Sequence, residues 1–261
     1  MSFFNVIIPT FNSAKTIERA VESVERQTFK DYSLIIVDDC SEDNTREILD
    51  RLAKKYSNIT LMYPNQKLYS GGTRNIAVYR SNPCEYLLFL DSDDEFINNH
   101  IFQNIYDVIL RNNKPDMVRL PYQRYYDESK THHFNNRLMD EERNTNIAVV
   151  AQSVRVACWT KAVRRELFRP FPENTLFEDV VQHLAQCDVV HSVVWLTVPC
   201  VRWHIHSSST SHNNSPKWQS SAWRFIADLM DLDLKHDYCD SRRKKKIEGT
   251  KQGLLEGKAV Q

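Results

Sequence analysis

The sequence predicts an α/β fold, a mostly parallel sheet flanked by helices. Across residues 1–120, short apolar runs of strand length alternate with segments whose apolar residues recur at helical spacing, which is the rhythm of βαβ units. Two of those runs, Tyr32–Val37 and Tyr86–Leu90, pass directly into aspartates. Strand ends of that kind open on the ligand crevice of an α/β sheet. Hydrophobic residues at 41% and aromatics at 11% supply a core for one large domain, or for one domain with an appendage.

In chain order, Phe3–Ile8 reads as the first strand, ended by Pro9, which cannot donate to a ladder. Asn12 or Ser13 then caps a helix carrying Ile17, Ala20, Val21 and Val24 on one face. Tyr32–Val37 is the second strand. Ser41–Asn44 offers caps for a helix marked by Ile48, Leu49 and Leu52, and Ile59–Tyr63 is a short third strand. A loop holding Gly71-Gly72 leads into a helix over Thr73–Tyr79. Tyr86–Leu90, five apolar or aromatic residues in a row, fits a fourth strand buried on both faces. A helix over Asn98–Arg111 turns Ile101, Ile105, Val108 and Ile109 inward, and Asp116–Leu120 is a fifth strand.

From Pro121 the pattern loosens. Tyr122–Arg143 has no sustained period and reads as a surface excursion or a short hairpin. Order returns at Ile147–Val156 and Cys158-Trp159-Thr160-Lys161, then in a helix over Leu176–Cys187 capped by Asn174 or Thr175. Strand-like runs follow at His191–Val198 and Val201–His206. After Pro216 a helix lines up Trp218, Ala222, Phe225, Ile226, Leu229 and Met230, and the tail carries the basic run Arg242–Lys246.

Composition excludes several classes of function. Lys+Arg 34 against Asp+Glu 34 gives a formal net charge of +0, so no global field favours nucleic acid. No apolar run approaches the ~20 residues needed to span a bilayer, and the first residues lack a signal-peptide pattern. The six cysteines are scattered without a CxxC pair, which predicts reduced thiols in a cytoplasmic protein.

The chemistry concentrates in Leu90-Asp91-Ser92-Asp93-Asp94-Glu95. Unpaired carboxylates are costly to bury, so such a cluster sits at an open strand end, either holding a hard cation or forming a solvated turn. Gly71-Gly72 with Arg74 suits a negatively charged ligand near a helix start. Asp38-Asp39 supplies a carboxylate that could accept from uracil N3–H or from a ribose hydroxyl. Of His204 and His206, His206 is the candidate to touch a metal or a diphosphate.

Taken in order, Val6-Ile7-Ile8-Pro9-Thr10-Phe11-Asn12, Ile36-Val37-Asp38-Asp39-Cys40-Ser41-Glu42-Asp43, Gly71-Gly72-Thr73-Arg74-Asn75 and Leu90-Asp91-Ser92-Asp93-Asp94 resemble the family 2 glycosyltransferases of GT-A fold. Trp159-Thr160-Lys161, Arg164-Arg165-Glu166-Leu167-Phe168 and Phe177-Glu178-Asp179-Val180 look like that family's acceptor-side motifs. Cys40, Thr73 and Ala77 depart from the pattern without removing a chemical group.

The resemblance implies an inverting enzyme with a nucleotide-sugar donor, UDP-linked, and a hydroxyl of a glycan or lipid-linked acceptor. It implies a pocket of Pro9, Thr10, Phe11 and Asn12 for the nucleoside, with Asp39 reading the base. Gly72, Arg74, Asp91 and Ser92 would face the base, ribose or diphosphate. Asp93, with Asp91 and His206, would hold Mn²⁺ or Mg²⁺, and Asp179 would be the general base. It divides the chain into a GT-A domain at 1–212, with a nucleotide-binding half at 1–120 and an acceptor-binding half at 121–212, and a C-terminal helical extension at 213–261. The basic run could make peripheral contact with the inner face of a membrane, and the apolar C-terminal helix could pair with a second copy. A sugar-1-phosphate nucleotidyltransferase fits worse, because its glycine loop follows the first strand. A haloacid-type phosphatase, with Asp91 as nucleophile, would want its aspartates there too. A non-catalytic sugar-nucleotide-binding module would not need Asp91, Asp93 and Asp179 together.

Overall fold

The structure, a computed structural model, describes residues 1–134, 157–173 and 178–206. The main elements are β1 (Ser2–Thr10), α1 (Ile17–Glu25), β2 (Tyr32–Asp38), α2 (Thr45–Lys55), β3 (Ile59–Met62), α3 (Tyr69–Arg80), β4 (Cys84–Phe89), β5 (Glu95–Phe96) and α4 (Ile101–Arg111). They continue as β6 (Met117–Arg119), β7 (Tyr122–Tyr126), β8 (Thr131–Phe134), β9 (Lys161–Arg164), α5 (Glu178–Cys187), β10 (Val193–Trp195) and β11 (Val201–Ile205).

The described residues build a seven-stranded sheet in the order β10-β6-β9-β4-β1-β2-β3 and a second sheet in the order β5-β11-β7-β8. β9 runs antiparallel to both of its neighbours, and the other pairs in the large sheet are parallel. The central strands are apolar along their length because both faces are covered: Phe4, Val6, Ile7, Ile8, Tyr86, Leu87 and Leu88 are all buried. α1 buries Ile17, Ala20, Val21 and Val24, and α4 buries Ile101, Phe102, Ile105, Val108 and Ile109, the stripes their spacing predicts. β7 and β8 form an antiparallel hairpin where the sequence left a choice between hairpin and excursion.

Four expectations are corrected. Pro9 does not end the first strand: it pairs with Val37, and β1 continues to Thr10. The Ile7 carbonyl accepts from Leu90, so Pro9, two residues on, faces the same side, where β4 has already ended and no donor is needed. Neither Asn12 nor Ser13 caps α1, which starts at Ile17 after Thr16. Asn12 instead takes a positive φ of 49° and accepts the Glu42 N–H at 2.8 Å, bracing one loop against the next. Gly71 and Gly72 lie inside α3, not in a loop before it. Glu95 is not part of a solvated turn: it is buried and starts β5, which pairs with β11. The expectations for 147–156, 174–177, the 213–261 extension and the 242–246 basic run lie outside the described residues.

Candidate active site

β4, β1 and β2 are neighbours in the large sheet, so Asp91, the Pro9-Thr10-Phe11-Asn12 run and Asp38-Asp39 emerge side by side at the strand ends. Thr10 is buried, and its hydroxyl has no hydrogen-bond partner. Phe11 is 40% exposed, with the Lys67 ammonium 3.3 Å from its ring centroid. Asp39 is buried and accepts the N–H groups of Leu68 at 2.6 Å and Tyr69 at 2.9 Å. It therefore fixes the turn into α3, and each oxygen keeps a second lone pair for a ligand donor. The Arg46 guanidinium holds Asp38 at 2.6 Å.

The acidic turn links the two sheets, between the end of β4 and the start of β5. Asp91, Asp93 and Asp94 can place one oxygen each within 4.8 Å of one another. His206, just past β11, brings Nε2 to 3.0 Å from Asp93 Oδ2. Ser92 shares a 2.8 Å hydrogen bond with Ser13, which ties the turn to the loop after β1. Asp94 is completely buried; one oxygen accepts the His204 N–H at 2.8 Å and the other has no partner. Burial, with repulsion from Asp93 and Asp91, pushes the Asp94 carboxyl well above its ordinary range. Burial likewise raises Asp91, to about 6, with Arg74 pulling the other way. Three crowded oxygen donors, one of them orphaned, fit a hard divalent cation such as Mn²⁺ or Mg²⁺.

On the other side of the crevice, α3 is clamped to the segment that ends in α5. A Cβ on Gly71 would lie 2.5 Å from the Pro172 carbonyl oxygen, and one on Gly72 would lie 2.9 Å from Leu68 Cβ. These glycines serve close packing. Asn75 donates to the Phe171 carbonyl and accepts its N–H, both at 2.8 Å. Arg74, 3% exposed, donates to Asp91 at 2.6 Å and to Glu178 at 2.7 Å, and the same nitrogen that holds Glu178 is 3.7 Å from Asp179. Burial raises the Asp179 carboxyl, Arg74 lowers it, Glu178 raises it, and Lys161 and the Cys158 thiol lower it. Lys161 is itself buried beside His183, 3.2 Å away, and burial depresses its ammonium. The structure thus brings Asp91, Arg74 and Asp179 into one cluster and sets Asp93 and His206 together.

Two features escape a reading of the sequence. Glu178 looks like an ordinary first-turn acid favoured by the helix dipole, and nothing local signals that it pairs with an arginine 104 residues away. Glu95 is the centre of a network, accepting from Arg26 at 3.3 Å and from Arg202 at 2.7 Å, and lying 3.3 Å from His204 Nε2. His204 Nδ1 meets Asp127 at 2.7 Å, so that histidine braces the second sheet.

A mostly parallel sheet flanked by helices, with an acidic turn at its carboxyl edge, defines an α/β protein whose ligand crevice is expected at the strand ends. The chain belongs to glycosyl transferase family 2, whose family model matches residues 5–170. It is 34% identical over 99 residues to a GalNAc(5)-diNAcBac-PP-undecaprenol beta-1,3-glucosyltransferase of Campylobacter jejuni, covering 38% of this chain and 32% of that one. It is 37% identical over 103 residues to the Staphylococcus aureus poly(ribitol-phosphate) beta-N-acetylglucosaminyltransferase TarS, covering 38% of this chain and 17% of that one. The chain thus matches about a third or less of the length of these two relatives. The structure of TarS 1–349 with UDP-GlcNAc superposes with a TM-score of 0.74 at 20% identity, over 98% of this chain and 73% of that one. The mannosyltransferase PcManGT from Pyrobaculum calidifontis, in complex with GDP-Man and Mn²⁺, superposes with a TM-score of 0.62 at 16% identity, over 97% and 70%. The GT-A expectation for the fold is borne out. No helix among the described residues is long and apolar enough to cross a membrane.

Proposed function

We propose that the protein is an inverting, cation-dependent glycosyltransferase that moves a sugar from a UDP-linked donor to a hydroxyl of a glycan or lipid-linked acceptor. One observation carries the reading: the oxygen cluster of Asp91, Asp93 and Asp94 and the separate carboxylate of Asp179 flank one buried arginine, Arg74, 2.6 Å from Asp91 and 3.7 Å from Asp179. Inversion needs that separation, with the leaving group handled on one side and the attacking hydroxyl activated on the other. A bound Mn²⁺ or Mg²⁺ would offset the charge that develops on the departing diphosphate. Asp91, Asp93 and His206 are the residues placed to hold it, with Asp94 beneath. Thr10, Phe11 and Asn12 line the nucleoside side, where the half-exposed Phe11 ring offers a stacking face and the spare lone pairs of Asp39 can accept from the base. Asp179 takes the acceptor proton; its raised carboxyl makes it a stronger base than an ordinary aspartate once ionised. The UDP-GlcNAc bound by TarS and the undecaprenol-linked substrate in the Campylobacter enzyme's name support a UDP donor and a carrier-linked acceptor.

The test is a thermal-shift screen of UDP, GDP and CMP with Mn²⁺, followed by UDP release from UDP-GlcNAc and UDP-glucose. Stabilisation by UDP alone is expected, and a loss of about 10³-fold in turnover for Asp179→Asn, the range for a positioned general base. Stabilisation by GDP alone would overturn the donor class, and full turnover in Asp179→Asn would overturn the base.

A further inference from the structure

Arg74 has one guanidinium and three carboxylates around it, and they do not share it equally. Nη2 is committed to Asp91 at 2.6 Å. Nη1 is committed to Glu178 at 2.7 Å, while Asp179 stands 3.7 Å from that same nitrogen, near enough to attract it and too far for a hydrogen bond. The Arg74 side chain is 4% exposed and its ring-stacking partner Phe171 lies 5.3 Å away, so the guanidinium has little freedom beyond a small swing between neighbouring oxygens. We propose that Glu178 is a positioning residue that keeps Arg74 from closing on Asp179, leaving the Asp179 carboxylate available to the acceptor hydroxyl.

The inference rests on Asp179 being the general base. An aspartate locked in a 2.7 Å ion pair with a buried arginine is a poor base, because the pairing stabilises the ionised form and occupies its lone pairs. Two adjacent acids at the start of α5 resolve this: the first occupies the arginine, and the second keeps Oδ1 without a hydrogen-bond partner while the Cys158 thiol bonds its carboxylate. The same arrangement joins the two sides of the crevice. Asp91 follows β4, Arg74 sits on α3 and Glu178 opens α5, so the bridge holds the donor-side turn and the acceptor-side helix in one frame. The charged and titratable groups facing Asp179 are Arg74 on α3, Asp91 after β4, Cys158 before β9, Lys161 on β9 and Glu178 on its own helix. Of these, Glu178 is the one whose removal frees the nitrogen nearest to Asp179.

The test is carboxyl ¹³C NMR titration of the full chain without metal, with Asp179 identified as the signal missing in Asp179→Asn. In Glu178→Gln, whose amide oxygen can still hold Nη1, the Asp179 midpoint is expected to fall only by the lost repulsion of a neighbouring charge. In Glu178→Ala, which frees Nη1, it is expected to fall further, below the ordinary aspartate value of ~3.9. Adding Arg74→Gln to Glu178→Ala is expected to raise it again. A Glu178→Ala midpoint no lower than that of Glu178→Gln overturns the inference. UDP release from UDP-GlcNAc with Mn²⁺ in Asp179→Asn is the independent arm. Loss there with an unmoved midpoint sinks only the role of Glu178, whereas retained turnover sinks the base assignment and with it the purpose of the device.

Discussion

Asp94 accepts the backbone N–H of His204 at 2.8 Å, and this bond fastens the acidic turn to β11 before any ligand arrives. Two residues beyond His204 the chain delivers His206 to Asp93 at 3.0 Å. The candidate cation site proposed above therefore draws on two parts of the chain more than 100 residues apart, held by one buried carboxylate. Asp93→Ala is expected to remove the stabilisation given by Mn²⁺. At a hundredfold excess over Kd, wild-type protein gains about 2.7 kcal/mol, and the variant should gain almost nothing in the same melt. His206→Ala should weaken Mn²⁺ binding by about tenfold, in keeping with the loss of one ligand or of its partner.

Cation binding should depend on pH in a direction set by Asp91. Its carboxyl is raised to about 6 in the folded chain against 3.8 as the ordinary value. A raised carboxyl stabilises the fold fully below its unfolded value, and that contribution is lost as pH rises through the folded one. A cation must displace the proton, so affinity for Mn²⁺ should fall about tenfold per unit below pH 6. Calorimetric titration at pH 5 and pH 7 measures it; equal affinities would contradict the assignment of Asp91.

Glu95 has the opposite sign. Burial works against its charge, but hydrogen bonds from His204, Arg202 and Arg26 outweigh it and lower the carboxyl from 4.5 to about 2. A depressed carboxyl contributes stability that is complete above its unfolded value and lost as pH falls through the folded one. Glu95→Gln should cost about 2 kcal/mol at pH 7, the range for a hydrogen bond to charged partners. Less than half of that gap should survive at pH 3. Urea denaturation at the two pH values reads both numbers.

Gly71→Ala tests the clamp between α3 and the Phe171-Pro172 backbone. The new Cβ would sit 2.5 Å from the Pro172 carbonyl oxygen, a backbone atom with no rotamer to escape into. About 1–3 kcal/mol of stability should be lost, as for other overpacked sites. Because Arg74 lies three residues further along the same helix, turnover should fall further than donor affinity. Gly72→Ala should cost stability as well, since its Cβ would lie 2.9 Å from Leu68 Cβ, an atom that no change of rotamer moves.

Much of this was legible in the sequence because it is local. The runs around Ile7, Ile35 and Leu88 are apolar, and the aspartates that follow the last two mark the carboxyl edge of the sheet. The roles within the site were harder to read, since they depend on partners distant in sequence. Gly71-Gly72 looked like a turn because glycine usually serves positive φ; its real constraint is a carbonyl about a hundred residues away. Glu178 looked like a helix-dipole acid, and Glu95 like the tail of an acidic run, for the same reason. Asn12 and Ser13 have the side chains of helix caps, but the loop that spans 11–16 spends them on Glu42 and Ser92.

β9 lies between β4 and β6, although both of those strands are made long before it. As the chain emerges from a ribosome, the first 120 residues can pair β1 with β2 and β4, and β2 with β3, but β4 and β6 face a gap that only Lys161–Arg164 fills. Until then two strand edges stay open, one of them the apolar flank of Tyr86, Leu87 and Leu88, and open edges are sites of wrong pairing between chains. The stretch that follows residue 157 therefore supplies the closing piece of the sheet that the first 120 residues begin. A fragment cut at residue 120 should be prone to aggregate, and folding of the whole should wait on that one late, reversed strand.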